Sequence, residues 1–287
     1  MVLSTKGEIM TVRIVTDSAC DLTEEETVAL DIDVVPLSIR FGEVEYIDRK
    51  ELSVPDFYEE MSTNEHLPQT AAPSPGSFEE IFKKRLDAGA ESVVCINLSS
   101  GVSATMQSAQ AGAQGSGGDV RVVDSSSVSC GQGTIVLAAA KAAKDGASAS
   151  EITSLVDDLS SRTKVYGALD TLENLKKGGR VGNAQALLGS VLSIKPLIDI
   201  SSGVVEEAGR QRTRKKALGW LVETVKEQHG NLESLSVGHA MAPDIDAFVE
   251  ELHSVTDLSE VRVDVIGPVV ASHGGPGLVA VSFVLKK

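Results

Sequence analysis

The chain alternates between short apolar runs and segments in which apolar residues recur every three or four positions. Runs such as Val12–Thr16, Val93–Leu98 and Val120–Val123 predict buried strands, and the segments that follow them predict helices. Strands that alternate with helices are typical of an α/β fold in which helices cover a parallel sheet. The pattern therefore predicts two α/β domains, with a mainly parallel sheet in the N-terminal one.

The length of the chain, 287 residues, is enough for two domains, because one domain averages roughly 100–200 residues. The candidate boundary is the polar segment Arg162-Thr-Lys164, which precedes a new apolar run. The predicted domains are residues 11–162 and residues 163–287.

Local signals predict where several elements begin. Capping-box patterns predict helix starts at Thr23, Ser77 and Ser148. Three further assignments concern strands and turns. They are one strand over Ile32–Phe41, a glycine turn at Gly131–Gly133 before a helix over Ile135–Lys144, and a loop over Ser272–Gly277.

A serine-rich turn separates a predicted strand from a predicted helix. Its hydroxyl and glycine residues are Ser99, Ser100, Gly101, Ser103 and Thr105. The first turn of a helix has unpaired N–H groups and the positive end of the helix dipole, so this turn is a candidate anion site. The same residue types serve as ordinary caps and turn formers, and the sequence leaves that alternative open.

A second candidate contact is the proline-rich loop Gln69–Gly76, which contains the hydroxyl of Thr70. Proline fixes its own φ angle and restrains the residue before it, so the loop is expected to be stiff. A stiff loop loses little conformational entropy when it contacts a ligand. The alternative is a rigid turn that only leads into the next helix.

The charge balance excludes one class of partner. The net charge is −15, and no Lys/Arg run is longer than three residues, so a nucleic-acid partner is not expected. No apolar run approaches the ~20 residues of a membrane span, so stable membrane insertion is not expected either. The three cysteines, Cys20, Cys95 and Cys130, have no metal-ligand spacing and predict reduced core residues in a cytoplasmic protein.

Two kinds of chemistry remain as alternatives. The segment Gly101–Thr105 nearly matches the nucleophile elbow G-x-S-x-G, but a threonine replaces its second glycine. A serine esterase would pair Ser103 with His273 and with Asp17 or Asp124 as the acid. Asp17, Asp21 and Asp124 near strand ends are also candidate Mg²⁺ ligands, although such residues more often cap helices.

Many short motifs follow one another in a fixed order from about Val12 to Leu285. They are Thr16-Asp-Ser-Ala-Cys-Asp-Leu22, Val35-Pro-Leu37 with Phe41-Gly42, Gln69-Thr-Ala-Ala-Pro-Ser-Pro75, Ser99-Ser-Gly-Val-Ser-Ala-Thr105, Asp124-Ser125, Leu175-Lys-Lys-Gly-Gly-Arg-Val181, Ile194-Lys-Pro-Leu197, Arg212-Thr-Arg-Lys-Lys216 and His273-Gly-Gly-Pro-Gly277. In this order they resemble the DegV family of bacterial fatty-acid-binding proteins.

The resemblance implies a lipid carrier that is not itself an enzyme and has no catalytic residue, metal or cofactor. Its ligand would be one long-chain fatty acid, such as palmitate, stearate or oleate, bound between the two domains. Thr70, Ser103 and His273 match the positions that bind the carboxylate. A wider head-group region would include Ser99, Ser100, Gly101, Thr105 and Gly275.

The resemblance also implies a partner, an ATP-dependent fatty acid kinase that phosphorylates the carboxylate of the bound lipid. Arg180 and Arg212 match basic positions expected to dock this kinase. A stand-alone lipid sensor without a kinase remains an alternative. Four residues depart from the family pattern near the head group, and they leave the acyl-chain preference open: Ala71, Ala72, Ala104 and Met106.

Overall fold

The computed structural model describes residues 11–189 and 194–287 and contains three sheets. The N-terminal strands are β1 (Val12–Asp17), β2 (Ile32–Val35), β3 (Ser38–Phe41), β4 (Val44–Ile47), β5 (Gln69–Ala71), β6 (Ser92–Asn97) and β7 (Asp119–Asp124). The helices between and after them are α1 (Glu24–Ala29), α2 (Val54–Thr63), α3 (Pro75–Asp87), α4 (Thr105–Ser116), α5 (Ser129–Lys144) and α6 (Ala149–Arg162).

Four of these strands form a parallel sheet in the order β2-β1-β6-β7. The expected mixed α/β fold with a parallel sheet in the N-terminal part is therefore confirmed. The other three strands form a small antiparallel sheet in the order β4-β3-β5. In this small sheet Thr70 on β5 pairs with Ile39 on β3.

The C-terminal part forms a mixed six-stranded sheet in the order β10-β9-β8-β13-β11-β12, in which only β11 and β12 pair in parallel. Its strands are β8 (Thr163–Ala168), β9 (Lys195–Asp199), β10 (Glu206–Gln211), β11 (Leu232–His239), β12 (Arg262–Val265) and β13 (Val279–Leu285). Its helices are α7 (Glu173–Lys177), α8 (Arg214–Lys226), α9 (Ile245–Val255) and α10 (Pro268–Gly274). Short 3₁₀ helices cover Ser18–Cys20 and Gly182–Gly189.

Two of the three predicted capping boxes are present. Thr23 and Ser148 each accept the N–H of a glutamate three residues later, and that glutamate accepts the cap's own N–H. The third was wrong, because α3 begins earlier. Ser74 is its N-cap, and its side chain accepts the N–H of Ser77. Pro75 then occupies the first helical turn, where its missing N–H costs nothing.

The single strand predicted over Ile32–Phe41 is in fact two strands in different sheets. The break falls at Pro36 and Leu37, between β2 and β3. Proline has no N–H to donate to a neighbouring strand, so it ends the pairing there.

Two predicted turns are helical in the structure. Gly131 and Gly133 lie inside the first turns of α5, where neighbouring atoms approach them too closely for a larger residue. A Cβ at position 131 would lie 2.3 Å from Ser127 Oγ, and one at position 133 would lie 2.6 Å from the carbonyl oxygen of Cys20. The predicted loop over Ser272–Gly277 was also partly wrong, because its first three residues form the end of α10.

Candidate functional site

A largely apolar cavity lies between segments of the N-terminal and C-terminal parts of the chain. The space in and around it that no atom fills is about 640 Å³, a figure that includes open solvent. Its aliphatic lining consists of Leu37, Leu98, Val102, Val128, Leu175, Ile198, Ile200, Val205, Val269, Val270 and Leu278. Four polar side chains join this lining: Thr70, Ser103, Arg180 and His273. The structure therefore brings the three predicted carboxylate ligands into one cavity.

Thr70 and His273 contact each other directly. Thr70 lies on β5, and His273 lies in the last turn of α10. The distance between Thr70 Oγ1 and His273 Nε2 is 2.8 Å, which is that of a hydrogen bond. This contact places two polar groups side by side in the cavity lining.

The imidazole of His273 is enclosed on its other side. Its Nδ1 is buried and has no hydrogen-bond partner among the described residues. Gly178 packs against that edge, since a Cβ at this position would lie 2.3 Å from Nδ1. Burial, followed by the nearby charge of Arg180, lowers the pKa of His273 to about 4. His273 is therefore neutral at physiological pH.

Ser103 lies in the turn before α4 and is half-buried. Its Oγ accepts the N–H of Thr105 at 3.2 Å and shares a 2.9 Å hydrogen bond with the hydroxyl of that residue. The N-cap of α4 is Ala104, whose side chain makes no capping hydrogen bond. Ser103 therefore supplies the local cap while its side chain also borders the cavity.

Arg180 and Arg212 occupy different environments. Arg180 borders the cavity, where its Nε donates to the carbonyl oxygen of Val102 at 3.2 Å and its Nη1 donates to that of Gly178 at 2.7 Å. Arg212 is exposed between β10 and α8. The first arginine thus joins the two parts of the chain at the cavity, and the second faces solvent.

The five residues of the wider head-group region do not belong to the cavity lining described above. Ser99 Oγ donates to the carbonyl oxygen of Gly203 at 2.5 Å. Gly101 faces the same segment, because a Cβ there would lie 2.6 Å from that oxygen. Ser100 donates to Asp124 through its backbone N–H and its hydroxyl. Thr105 is buried beside Ser103, and Gly275 follows α10 with a left-handed φ of 80°.

The hydrogen bonds of the cavity do not form a serine hydrolase relay. Ser103 is bonded to Thr105 rather than to His273, and Nδ1 of His273 meets no carboxylate within the described parts of the chain. Asp17 instead caps the 3₁₀ helix at Ala19 N, and it accepts the N–H of Leu98 at 2.8 Å. An orienting acid, which this mechanism needs, is therefore not in place.

The carboxylates at the strand ends are likewise not gathered into a metal site. Over residues 11–189 and 194–287, no three His, Cys, Asp or Glu side chains are grouped as metal ligands. Asp124 accepts from Ser100 and from the backbone of Ser126. In the same parts of the chain, no helix has the length and apolar character needed to span a bilayer.

Known proteins resemble this chain over nearly its full length. A DegV domain-containing protein of Listeria monocytogenes is 34% identical over 271 residues, which cover 94% of this chain and 97% of the relative. Two solved structures also match closely. A DegV family protein from Thermus thermophilus, described as fatty acid binding, has a TM-score of 0.88 at 31% identity, covering 96% of this chain and 99% of its own.

The second structure is a stearic-acid-binding protein from Eubacterium ventriosum, with a TM-score of 0.87 at 26% identity, covering 96% of this chain and 98% of its own. The sequence profile described as the DegV family matches residues 11–286. With its relatives, its fold and its ordered motifs in agreement, this chain belongs to the DegV family.

Proposed function

We propose that this protein binds one long-chain fatty acid in the cavity, between domains formed by residues 11–162 and 163–287. Its carboxylate contacts Thr70, Ser103 and His273, and its acyl chain lies along the aliphatic lining. The observation that carries the proposal is the 2.8 Å contact of Thr70 with His273 in a cavity otherwise lined almost entirely by aliphatic side chains. Relatives described as fatty acid binding support the same ligand class.

The apolar lining supplies the driving force for binding. Palmitate has about 14 methylenes in its chain, and burying each contributes about 0.8 kcal/mol, or about 11 kcal/mol before opposing terms. Ordering the chain and losing free motion offset a large part of this free energy. The remainder is the net free energy that burial of the acyl chain contributes to binding.

The carboxylate would meet mainly neutral donors. The hydroxyls of Thr70 and Ser103 can donate to it, and the neutral ring of His273 can do so through one N–H. Arg180 adds a positive charge to the cavity, but two of its N–H groups already donate to backbone oxygens. A carboxylate without a bidentate arginine partner stays accessible to a second reactant, which suits later phosphorylation.

The proposal includes presentation of the bound carboxylate to an ATP-dependent fatty acid kinase, docked through Arg180 and Arg212. The exposed position of Arg212 supports docking, because a solvent-facing guanidinium can pair with carboxylates of a partner. Arg210, Lys215 and Lys216 are exposed beside it in a chain of net charge −15. A stand-alone lipid sensor would use the same cavity without this basic surface.

Native mass spectrometry followed by denaturing lipid extraction tests the lipid. We expect the purified protein to carry one C14–C18 fatty acid, or to take up one equivalent of added palmitate, and the double variant T70A/S103A to lose it. T153A is the control, because its hydroxyl donates within α6 to Ser150. An empty wild-type protein that also rejects palmitate and oleate would overturn the proposal.

Phosphoryl transfer tests the partner. Palmitate-loaded protein, a fatty acid kinase and radiolabelled ATP should give labelled acyl phosphate, and R212A should slow the labelling while its lipid content stays unchanged. R212A is a cleaner test than R180A because Arg180 also borders the cavity. K83A, an exposed change on α3, is the control. Equal rates for R212A and wild type would remove Arg212 from the docking surface.

A further inference from the structure

A buried carboxylate outside the cavity joins the N-terminal part of the chain to α10. Asp21 is 3% exposed, and its Oδ2 accepts the hydroxyl of Ser129 at 2.6 Å. Its Oδ1 accepts Nη2 of Arg49 at 3.0 Å and the backbone N–H of Gly267 at 2.9 Å. Gly267 is the residue that precedes α10. The start of α10 therefore hydrogen-bonds to a carboxylate 246 residues away in the chain.

The residues around this carboxylate adopt a costly backbone conformation. Asp21, Arg49 and Ser129 have φ angles of 54°, 60° and 53°, in the left-handed region that residues other than glycine rarely occupy. Such a residue is strained and persists only where its surroundings hold it in place. The side chains of all three strained residues meet at the Asp21 carboxylate. This indicates that the surrounding structure holds the carboxylate in one position.

The fit at the start of α10 is close. A Cβ at position 267 would lie 2.6 Å from Asp21 Oδ1 and 2.6 Å from Arg49 Nη2, so a residue with a side chain does not fit there unchanged. The hydroxyl of Tyr58 donates to the carbonyl oxygen of Ile266 at 2.7 Å and adds a second link from the N-terminal part. The position of Gly267 is thus set by several groups at once.

The other end of α10 carries His273. The helix has seven residues and is about 10 Å long at ~1.5 Å per residue. Asp21 binds its beginning, Thr70 contacts its last turn, and Val269 and Val270 between them border the cavity. Because so short a helix moves as one unit, a shift at Gly267 also moves His273.

We propose that Asp21 is a positioning residue for the carboxylate site, because it fixes the start of the helix that carries His273 to Thr70. It acts through α10 and does not touch the ligand. The part of this inference that concerns affinity rests on the proposed fatty acid function. The part that concerns His273 does not, because it can be measured on the protein without lipid.

The test removes the acceptor and then restores it. In D21A the Gly267 N–H loses its partner, so α10 shifts, His273 becomes more exposed, and its pKa rises from about 4 toward its ordinary value. D21N keeps an amide oxygen that can accept this N–H, and asparagine tolerates the left-handed backbone, so it should restore most of the wild-type value. NMR titration of the His273 ring in lipid-free protein measures both.

A second variant approaches the same contact from the other side. G267A leaves Asp21 intact but places a methyl group against its carboxylate, so it should raise the pKa of His273 as D21A does. G219A is the matched control, because a Cβ at that position in α8 meets no atom within 4 Å. If D21A fails to fold, G267A decides the test alone.

Affinity provides the second readout. Palmitate should bind about tenfold more weakly to D21A and G267A, the loss expected when one hydrogen bond to a charged group is misplaced, and D21N should recover most of it. A folded D21A or G267A with the wild-type pKa at His273 would overturn the positioning role. If wild type itself does not bind palmitate, the proposed function fails while the NMR result still decides the role of Asp21.

Discussion

His273 and Thr70 are 203 residues apart in the chain, yet their side chains meet at 2.8 Å and supply two of the four polar side chains in a largely aliphatic cavity. Thr70 belongs to the small antiparallel sheet and His273 to α10. The two residues therefore come together only when these two elements pack against each other. The contact exists because both parts of the chain pack around one cavity.

Removing the Thr70 hydroxyl should weaken fatty acid binding with little effect on the fold. T70V keeps the shape and the β-branched side chain but leaves His273 Nε2 without its partner. We expect palmitate affinity to fall about tenfold, the value of one hydrogen bond to a charged group. Isothermal titration calorimetry measures it, with T153V as the control. An unchanged affinity would place the carboxylate elsewhere in the cavity.

Acid should destabilise the protein through His273. Its folded pKa is about 4, below its ordinary value of 6.5, so its contribution to stability is complete above pH 6.5 and is lost as the pH falls toward 4. That loss is on the order of 3 kcal/mol from the pKa difference. The difference in unfolding free energy between wild type and H273Q should therefore fall over this range, as urea titrations at several pH values can measure.

The control for the pH experiment is H229Q, which changes an exposed ring. The stability difference between wild type and H273Q should be constant above pH 6.5. If it also stays constant from pH 6.5 to 4, the pKa of His273 is the same in the folded and unfolded protein, and the prediction is wrong.

The charge of Arg180 should act on His273. Because Arg180 is the second cause of the lowered pKa, R180M should raise the pKa of His273, while burial should still leave it below its ordinary value. NMR titration of the His273 ring gives the answer. R212M changes an exposed arginine that does not border the cavity, so it should leave the ring unaffected. No rise in R180M would mean that solvent screens the two groups from each other.

Gly101 should be required for close packing between the two parts of the chain. A Cβ at this position would lie 2.6 Å from the carbonyl oxygen of Gly203 and 2.6 Å from Val204 Cγ1. Overpacking of this kind costs about 1–3 kcal/mol, so G101A should lower the free energy of unfolding by that amount. G76A is the control, because its nearest neighbour, Ser74 Oγ, is 3.7 Å away. Equal stability of the two variants would mean that the Gly203 segment shifts to accommodate the added methyl group without cost.

Local patterns in the chain correctly predicted several elements and pointed to the candidate polar residues. The capping boxes at Thr23 and Ser148 were predicted correctly, because a cap depends only on residues within one helical turn. The parallel N-terminal sheet followed from the alternation of strands and helices. Thr70, Ser103 and His273 were identified through ordered motifs, and the structure brings them into one cavity.

The surroundings of these residues became apparent only in the folded chain. Aliphatic residues that line the cavity, such as Val205 and Ile198, follow the same sequence pattern as residues of a solid core, because both avoid water. Gly178 resembles an ordinary turn glycine until His273 packs against it, and Asp21 resembles a simple cap until Gly267 reaches it. Such contacts join residues far apart in the chain, so no local pattern encodes them.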